Sequence, residues 1–426
     1  MFLLIRNWIT RFSIVAFGQI IVQALALITG IIIIRLLPVK EYALYVIANT
    51  LLGTMTNLAD GGISSGVMSE ASKVWQDKER LGKVLATGLY LRKRFAFISI
   101  FIGIPILIYL LYHNGASWVT IVLIVAGLIP SYYAALSDSL LEIIPKIHQD
   151  IKSLQINQII VGLGRLILSS STLFIMPVSF IAIMANGVPR IFGNINLRKI
   201  SLKFLLPTNI PDLEVKDKIL SVVAKIMPGT IYGCVVGQLT VFILSLLGKT
   251  NFIGQIGALS RISMMLTVFT SVSSVLIIPR FARLPNNFKI LLKKYPQILG
   301  LYILIGLFLV LIVLWVPQIF LFILGNRYSG LKKELLFCVI TNYLNVIYGA
   351  SYSLANSRAW IINPWVGIPI GLLSIVIGLS IFNFSTVIDV FKYNIFLDVV
   401  GLSTSLFICF KKIFKLRVIE NETSKT

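Results

Sequence analysis

Phe12-Ser-Ile-Val-Ala-Phe-Gly-Gln-Ile-Ile-Val-Gln-Ala-Leu-Ala-Leu-Ile-Thr-Gly-Ile-Ile-Ile-Ile34 is a run of 23 uncharged residues bounded by Arg11 and Arg35. At about 1.5 Å rise per residue a helix of this length reaches roughly 34 Å, enough for a hydrocarbon core of about 30 Å. It is too long for the apolar stretch of a cleaved leader and has no clear cleavage site, so it is read as a retained first span. Working outward, comparable runs bounded by charge, Pro or Gly fall near 42–66, 95–112, 118–141, 154–174, 178–193, 219–247, 252–278, 296–315, 334–354, 361–382 and 390–410. The expectation is an all-α polytopic membrane protein of about twelve transmembrane helices.

Composition agrees. Only 13% of residues are charged and 57% are hydrophobic, against roughly 25% charged in a soluble domain, which excludes an ordinary soluble fold. A net charge of +22 raises the question of nucleic acid. A nucleic-acid binder gathers its cations on one solvated face, whereas here they punctuate apolar runs, so no nucleic-acid partner is expected. With the N-terminus cytoplasmic, the inside segments hold 29 Lys and Arg and the outside segments seven, leaving Arg165 and Arg261 within spans. That asymmetry places both termini in the cytoplasm. Cys234, Cys338 and Cys409 lie far apart and read as packing residues; with only His113 and His148 available, no metal site, cofactor or His-based triad is expected.

The longest hydrophilic stretch, 194–218, divides the spans six and six. It suggests an N-terminal lobe (1–193), a cytoplasmic connector (194–218), a C-terminal lobe (219–410) and a basic cytoplasmic tail (411–426). The turn Arg35-Leu-Leu-Pro-Val-Lys-Glu-Tyr-Ala-Leu-Tyr45 is weakly echoed by Leu246-Leu-Gly-Lys-Thr-Asn-Phe-Ile-Gly-Gln-Ile256 about half a chain later, as a duplication would leave it. The widest external segment, Val316 to Lys333, is too short for a catalytic domain, which argues against a membrane-embedded glycan polymerase or ligase.

Several segments in order resemble the polysaccharide flippases of the multidrug/oligosaccharidyl-lipid/polysaccharide exporter superfamily, the Wzx-type proteins. They are Arg35 to Tyr45, Leu58-Ala-Asp-Gly-Gly-Ile63, Ile253-Gly-Gln-Ile-Gly-Ala-Leu-Ser-Arg261, Ile278-Pro-Arg280 and Ile319-Phe-Leu-Phe-Ile-Leu-Gly-Asn-Arg-Tyr328. Ala43 departs from the glycine common in the first turn, and the eighth span lacks a tyrosine often found near Ile256. The resemblance implies a fold like that of the MATE transporters: two six-helix lobes around a central cavity that opens alternately to each side. It also implies a lipid-linked oligosaccharide as substrate, a bacterial inner membrane as location, and transport without bond chemistry. A single chain should suffice, among membrane lipids and other polysaccharide-assembly proteins. An ion-coupled multidrug exporter of the same fold is the alternative; the peptidoglycan-precursor branch usually has fourteen spans.

Within the spans, an ionised side chain costs about 2.5–3.5 kcal/mol on insertion scales and so faces a cavity or a partner. Arg165 shares a helical stripe with Gln158, Gly162, Ser169 and Thr172, and either lines a cavity or pairs with Asp138. Arg261 follows Gly254, Gly257 and Ala258 on one side of its span, which leaves room for a ligand or for close packing. Arginine's planar fork suits phosphate oxygens, so the expectation is a cationic cavity for a lipid diphosphate. Asn342 and Asn345, on a stripe with Gly349, Tyr352 and Asn356, suit sugar hydroxyls or interhelical hydrogen bonds. Asp60 and Asp138 are read as the plausible intramembrane acids, candidates for coupling to H+ or Na+; Asp60, on a stripe with Asn49, Gly53, Thr56 and Ser64, is equally a hydrated helix-end acid.

Overall fold

The computed structural model describes the backbone of residues 2–208, 210–282, 284–358, 360 and 364–423. Among them are fifteen α-helices, one 3-10 turn and no strand. In order they are α1 (Phe2–Leu36), α2 (Val39–Asp60), α3 (Ile63–Lys73), α4 (Lys78–His113), α5 (Trp118–Leu141), α6 (Ile143–Ile147), α7 (Ile151–Ile175) and α8 (Ser179–Leu202). Then come α9 (Leu213–Leu246), α10 (Thr250–Ala282), α11 (Phe288–Trp315), α12 (Pro317–Leu324), α13 (Lys332–Ser357), α14 (Pro364–Ile381) and α15 (Val387–Thr423). The side chains of Arg6, Arg11 and Asn356, and residues 361–363 and 424–426, lie outside those described.

Each of the twelve expected spans falls on a helix, and eight helices among the described residues are individually long and apolar enough to cross a bilayer. Their outer faces carry large apolar side chains open to the surroundings, such as Phe101 at 77%, Phe174 at 82% and Trp315 at 88% exposure. Apolar surface on this scale is unfavourable in water and is what acyl chains cover. This is a polytopic all-α membrane protein.

Three boundaries differ from the sequence reading, each for a local reason. The second span does not continue to residue 66, because Gly61 (φ 48°) and Gly62 (φ 101°) turn left-handed and separate α2 from α3. A Cβ on Gly61 would lie 2.6 Å from Met227 Sδ and one on Gly62 2.9 Å from Ile226 Cβ, so glycine serves both the turn and the close approach of α9. The third span begins at Lys78, well before residue 95, because Asp77 caps it by accepting from Glu79 N (3.0 Å) and Arg80 N (3.1 Å). Residues 194–202 are helical and only 203–212 connect α8 to α9, since Ser201 Oγ donates to Leu141 O (2.8 Å) and Asn194 Nδ2 to Asp138 Oδ1 (2.6 Å). Polar residues that look like linker are bundle contacts.

The chain forms two compact units, Met1–Gly254 and Gln255–Thr426. In the first, α9 packs on α2, α3 and α4. The core there is built by Ile63, Val67, Leu81, Val84, Leu140 and Ile219. In the second unit, Phe281, Leu291, Tyr295, Leu354 and Cys409 form the core. There Tyr295 Oη, Ser351 Oγ and Ser405 Oγ make a buried chain of hydrogen bonds of 2.8 and 2.6 Å. Cys338 and Cys409 are packing residues, as expected; Cys234 is only half-buried.

Candidate functional site

The helix α4 presents a stripe of small residues, Gly88, Ala96, Ser99 and Gly103, all buried together with one cation, Arg92. The small residues let α4 lie tightly against its neighbours. A Cβ on Gly88 would lie 2.5 Å from Val67 Cγ2 and one on Gly103 2.5 Å from Met55 Cγ, and Ser99 Oγ donates to Met55 O at 2.7 Å. Packing on both sides thus drives the guanidinium into the first unit, where it is 2% exposed.

Its counter-charge is Asp60, the last residue of α2. Arg92 Nη2 donates to Asp60 Oδ1 and, at 2.8 Å, to Ser64 Oγ. Asp60 also accepts from Gly62 N (3.3 Å), Ser64 N (3.2 Å) and Ser64 Oγ (2.6 Å). The carboxylate therefore does two jobs: it caps α3 across the Gly61–Gly62 break and neutralises Arg92. Among the described residues, Arg92 Nε and Nη1 have no hydrogen-bond partner.

Both residues border a cavity of about 590 Å³ among α2, α3, α4, α5 and α9, within the roughly 300–1,000 Å³ usual for small-molecule sites. Its wall is otherwise uncharged and mixed, with Thr56, Asn57, Ser65, Ser139, Thr230 and Gln238 as polar residues and Ile226 and Cys234 as apolar ones. Gly233 and Gly237 of α9 also face it, and a Cβ on either would meet nothing within 4 Å. Farther along, Gln238 Nε2 donates to Thr54 Oγ1 and Cys234 Sγ to Thr54 O (3.7 Å), joining α9 to α2.

The expected residues are distributed differently. Arg165 borders a separate chamber of about 100 Å³ with Tyr45, Asn49, Ser131, Asn186 and Arg190, and its Nε donates to Asn186 O at 3.1 Å. Asp138, its partner in the alternative reading, is paired with Arg190 Nε (3.0 Å) and with Asn194. Gln158 reaches toward Glu142 (3.4 Å), Gly162 packs against Leu25, and Thr172 back-bonds to Leu168 O (2.6 Å), so the α7 stripe is shared among several neighbours. Asp60 and Ser64 do line the large cavity, but Asn49 of the same stripe lines the small one.

In the second unit, Asn345 Nδ2 donates to Asp398 Oδ1 at 3.1 Å and Asn342 Nδ2 to Cys338 O at 2.8 Å. Asp398 lies inside the last expected span, so the reading that confined intramembrane acids to Asp60 and Asp138 was incomplete. Arg261 is half-buried on α10 and makes an interaction of its own.

The sequence reading missed Arg92 because it counted the residue in a basic loop. The Leu85-Gly88-Arg92-Ala96-Ser99-Gly103 spacing on one helical face was the signal that could have found it.

A sequence profile of the polysaccharide biosynthesis protein family matches residues 7–285, which includes every residue of this cavity. The chain belongs to that family. A search of curated protein sequences returned no match. Among solved structures, the chain is similar to an inward-facing multidrug-resistance MATE-family transporter of the MOP superfamily, with TM-score 0.71, 13% identity, and coverage of 93% of this chain and 95% of that one. It is also similar to the lipid II flippase MurJ in an inward closed conformation (TM-score 0.61, 16% identity, 96% and 92% covered). A third is a MOP-superfamily transporter from Pyrococcus furiosus described as having a binding pocket of reverse polarity (TM-score 0.55, 14% identity, 97% and 96% covered). At such low identity these likenesses establish the MATE-like fold. For a member of the polysaccharide biosynthesis family, the Arg92 cavity is the leading candidate site.

Proposed function

We propose that the chain is a flippase that carries a polyprenyl-diphosphate-linked oligosaccharide, an O-antigen or capsule repeat unit, from the cytoplasmic to the external leaflet of a bacterial inner membrane by alternating access. The observation that carries this reading is Arg92: a guanidinium 2% exposed, bordering the 590 Å³ cavity beside its counter-charge Asp60. A diphosphate cannot enter hydrocarbon bare, and a planar cation at the cavity wall, on leaving Asp60, offers the oxygens charge-assisted hydrogen bonds. The hydroxyls and amides of the wall suit the first sugars. Family membership supports a glycan substrate, and the likeness to a structure named as a lipid II flippase supports a lipid carrier.

In this proposal Asp60 holds Arg92 in place until phosphate competes for it, and an H+ or Na+ gradient acting at Asp60 or Asp138 resets the empty carrier. Arg165, Arg261, Gln158, Asn342 and Asn345 serve as further polar contacts along the route. The chain works as a monomer with both termini cytoplasmic, beside other polysaccharide-assembly proteins, and breaks no bond.

The test is complementation of a strain lacking the gene, measuring surface glycan and lipid-linked repeat units together. Arg92→Ala, at wild-type membrane abundance, is expected to abolish surface glycan and accumulate the precursor. Wild-type surface glycan with Arg92→Ala would overturn the role of the residue. Normal glycan in the deletion strain, without precursor or a redundant transporter, would overturn the function, and restored drug efflux would favour the exporter.

A further inference from the structure

A second cavity of about 480 Å³ lies between the first turns of α4, the ends of α5 and α8, and the start of the connector, apart from the Arg92 site. Its walls are fixed by backbone contacts. Leu206 N donates to Lys78 O (3.0 Å) and Asp212 N to Thr87 Oγ1 (2.9 Å), which straps the connector onto α4. The strap runs so close that a Cβ on Gly82 would lie 2.1 Å from Leu206 O. Next to it, Phe204 stacks on His148 with ring centroids 4.4 Å apart.

The lining is two-faced. Leu85, Leu89, Leu141 and Leu205 make an apolar floor, whereas Lys93 and Arg198 supply two cations and no carboxylate borders the cavity. Both cations are exposed, and neither has an ion-pair partner among the described residues, unlike Lys83, which is held by Glu79 at 2.7 Å. Leu202 and Leu206 beside the mouth are 42% and 56% exposed, so the opening also meets apolar surroundings. Anchored walls, a greasy floor and two unneutralised cations match an amphiphile with an anionic head.

We infer that this cavity binds the phosphate head group of an anionic phospholipid from the adjoining leaflet, with Lys93 and Arg198 holding the phosphate and the leucine floor taking the glycerol and first acyl carbons. Polybasic recognition of anionic lipid is worth about 5-fold per cation near the surface, so about 25-fold for the pair.

The experiment is native mass spectrometry of the purified full chain titrated with phosphatidylglycerol, with phosphatidylcholine and inorganic phosphate as separate probes. The wild type should retain phosphatidylglycerol over phosphatidylcholine, and Lys93→Gln with Arg198→Gln should weaken that retention by about 25-fold. Lys411→Gln with Lys412→Gln should leave it within about twofold, as a control for charge alone. Ala86→Phe, which fills the cavity while keeping both cations, should also displace the lipid; it covers the case in which the double variant folds poorly. Unchanged retention in both cavity variants would overturn the site. Retention of inorganic phosphate in place of phosphatidylglycerol would assign the same chemistry to a soluble source and overturn the lipid assignment.

Discussion

The first unit holds two Arg–Asp pairs built from the same chemistry in different surroundings. Arg190 borders a chamber of about 100 Å³ and pairs with Asp138 outside its lining, and Asn194 supplies a further bond to the carboxylate. Arg92 and Asp60 sit beside a cavity nearly six times larger, and Arg92 keeps two unpartnered nitrogens. A pair of which one member borders a small chamber, and whose carboxylate is braced by an amide, holds helices together. A pair whose two members both border an open cavity is placed to exchange one partner for another.

The comparison breaks most decisively if the two pairs respond alike to removal of one partner. Asp60→Ala leaves Arg92 buried without a counter-charge, which costs about 3–5 kcal/mol, and uncaps α3 for about 1 kcal/mol more. A large fall in thermal stability of the detergent-purified protein is the expected outcome. Replacing both charges separates stability from function: Arg92→Met with Asp60→Asn should stay within about 1–2 kcal/mol of wild type yet lose glycan export. The matching Arg190→Met with Asp138→Asn should have a similar stability; export retained there, read by surface glycan in the complemented strain, assigns the ion coupling to Asp60, and export lost assigns it to Asp138.

A smaller effect tests the break that positions Asp60. Gly61→Ala must hold a left-handed φ and displace Met227, so a loss of about 1–3 kcal/mol is expected in the melting curve. Cavity access is sharpened by Gly233→Leu. Its side chain enters open space and replaces a mid-helix glycine, so stability should hold or rise by up to about 1 kcal/mol while export falls sharply. The smallest effect belongs to the second unit: Asn345→Ala removes the bond to Asp398 and should cost about 0.6 kcal/mol, the average for interhelical hydrogen bonds in membranes.

Eight of the expected spans were readable because each helix carries its own evidence of length and apolarity among the described residues. Among the described residues, α2 and α8 fall short of that threshold individually. In α2, Thr54, Asn57 and Asp60 turn to the large cavity, and in α8, Asn186 and Arg190 turn to the small one. Local polarity thus lowers the span signal where the chain builds its sites. The same effect hid the start of α4: Lys78 to Arg94 reads as a basic loop, and only the contacts of Gly88, Ser99 and Gly103 reveal that its inner face is buried. Arg165, conspicuous inside an apolar run, proved to belong to the smaller chamber.

From sequence alone follow the membrane class, the helix inventory and the excess of cations, because in hydrocarbon each segment must satisfy its own backbone hydrogen bonds and can be judged by itself. Which arginine is buried beside a cavity, and which carboxylate it meets, was decided by tertiary structure. Arg92 finds Asp60 across 32 residues and Arg190 finds Asp138 across 52. Those meetings depend on helix rotation and on where glycines let neighbours approach, quantities set by all the packed helices at once.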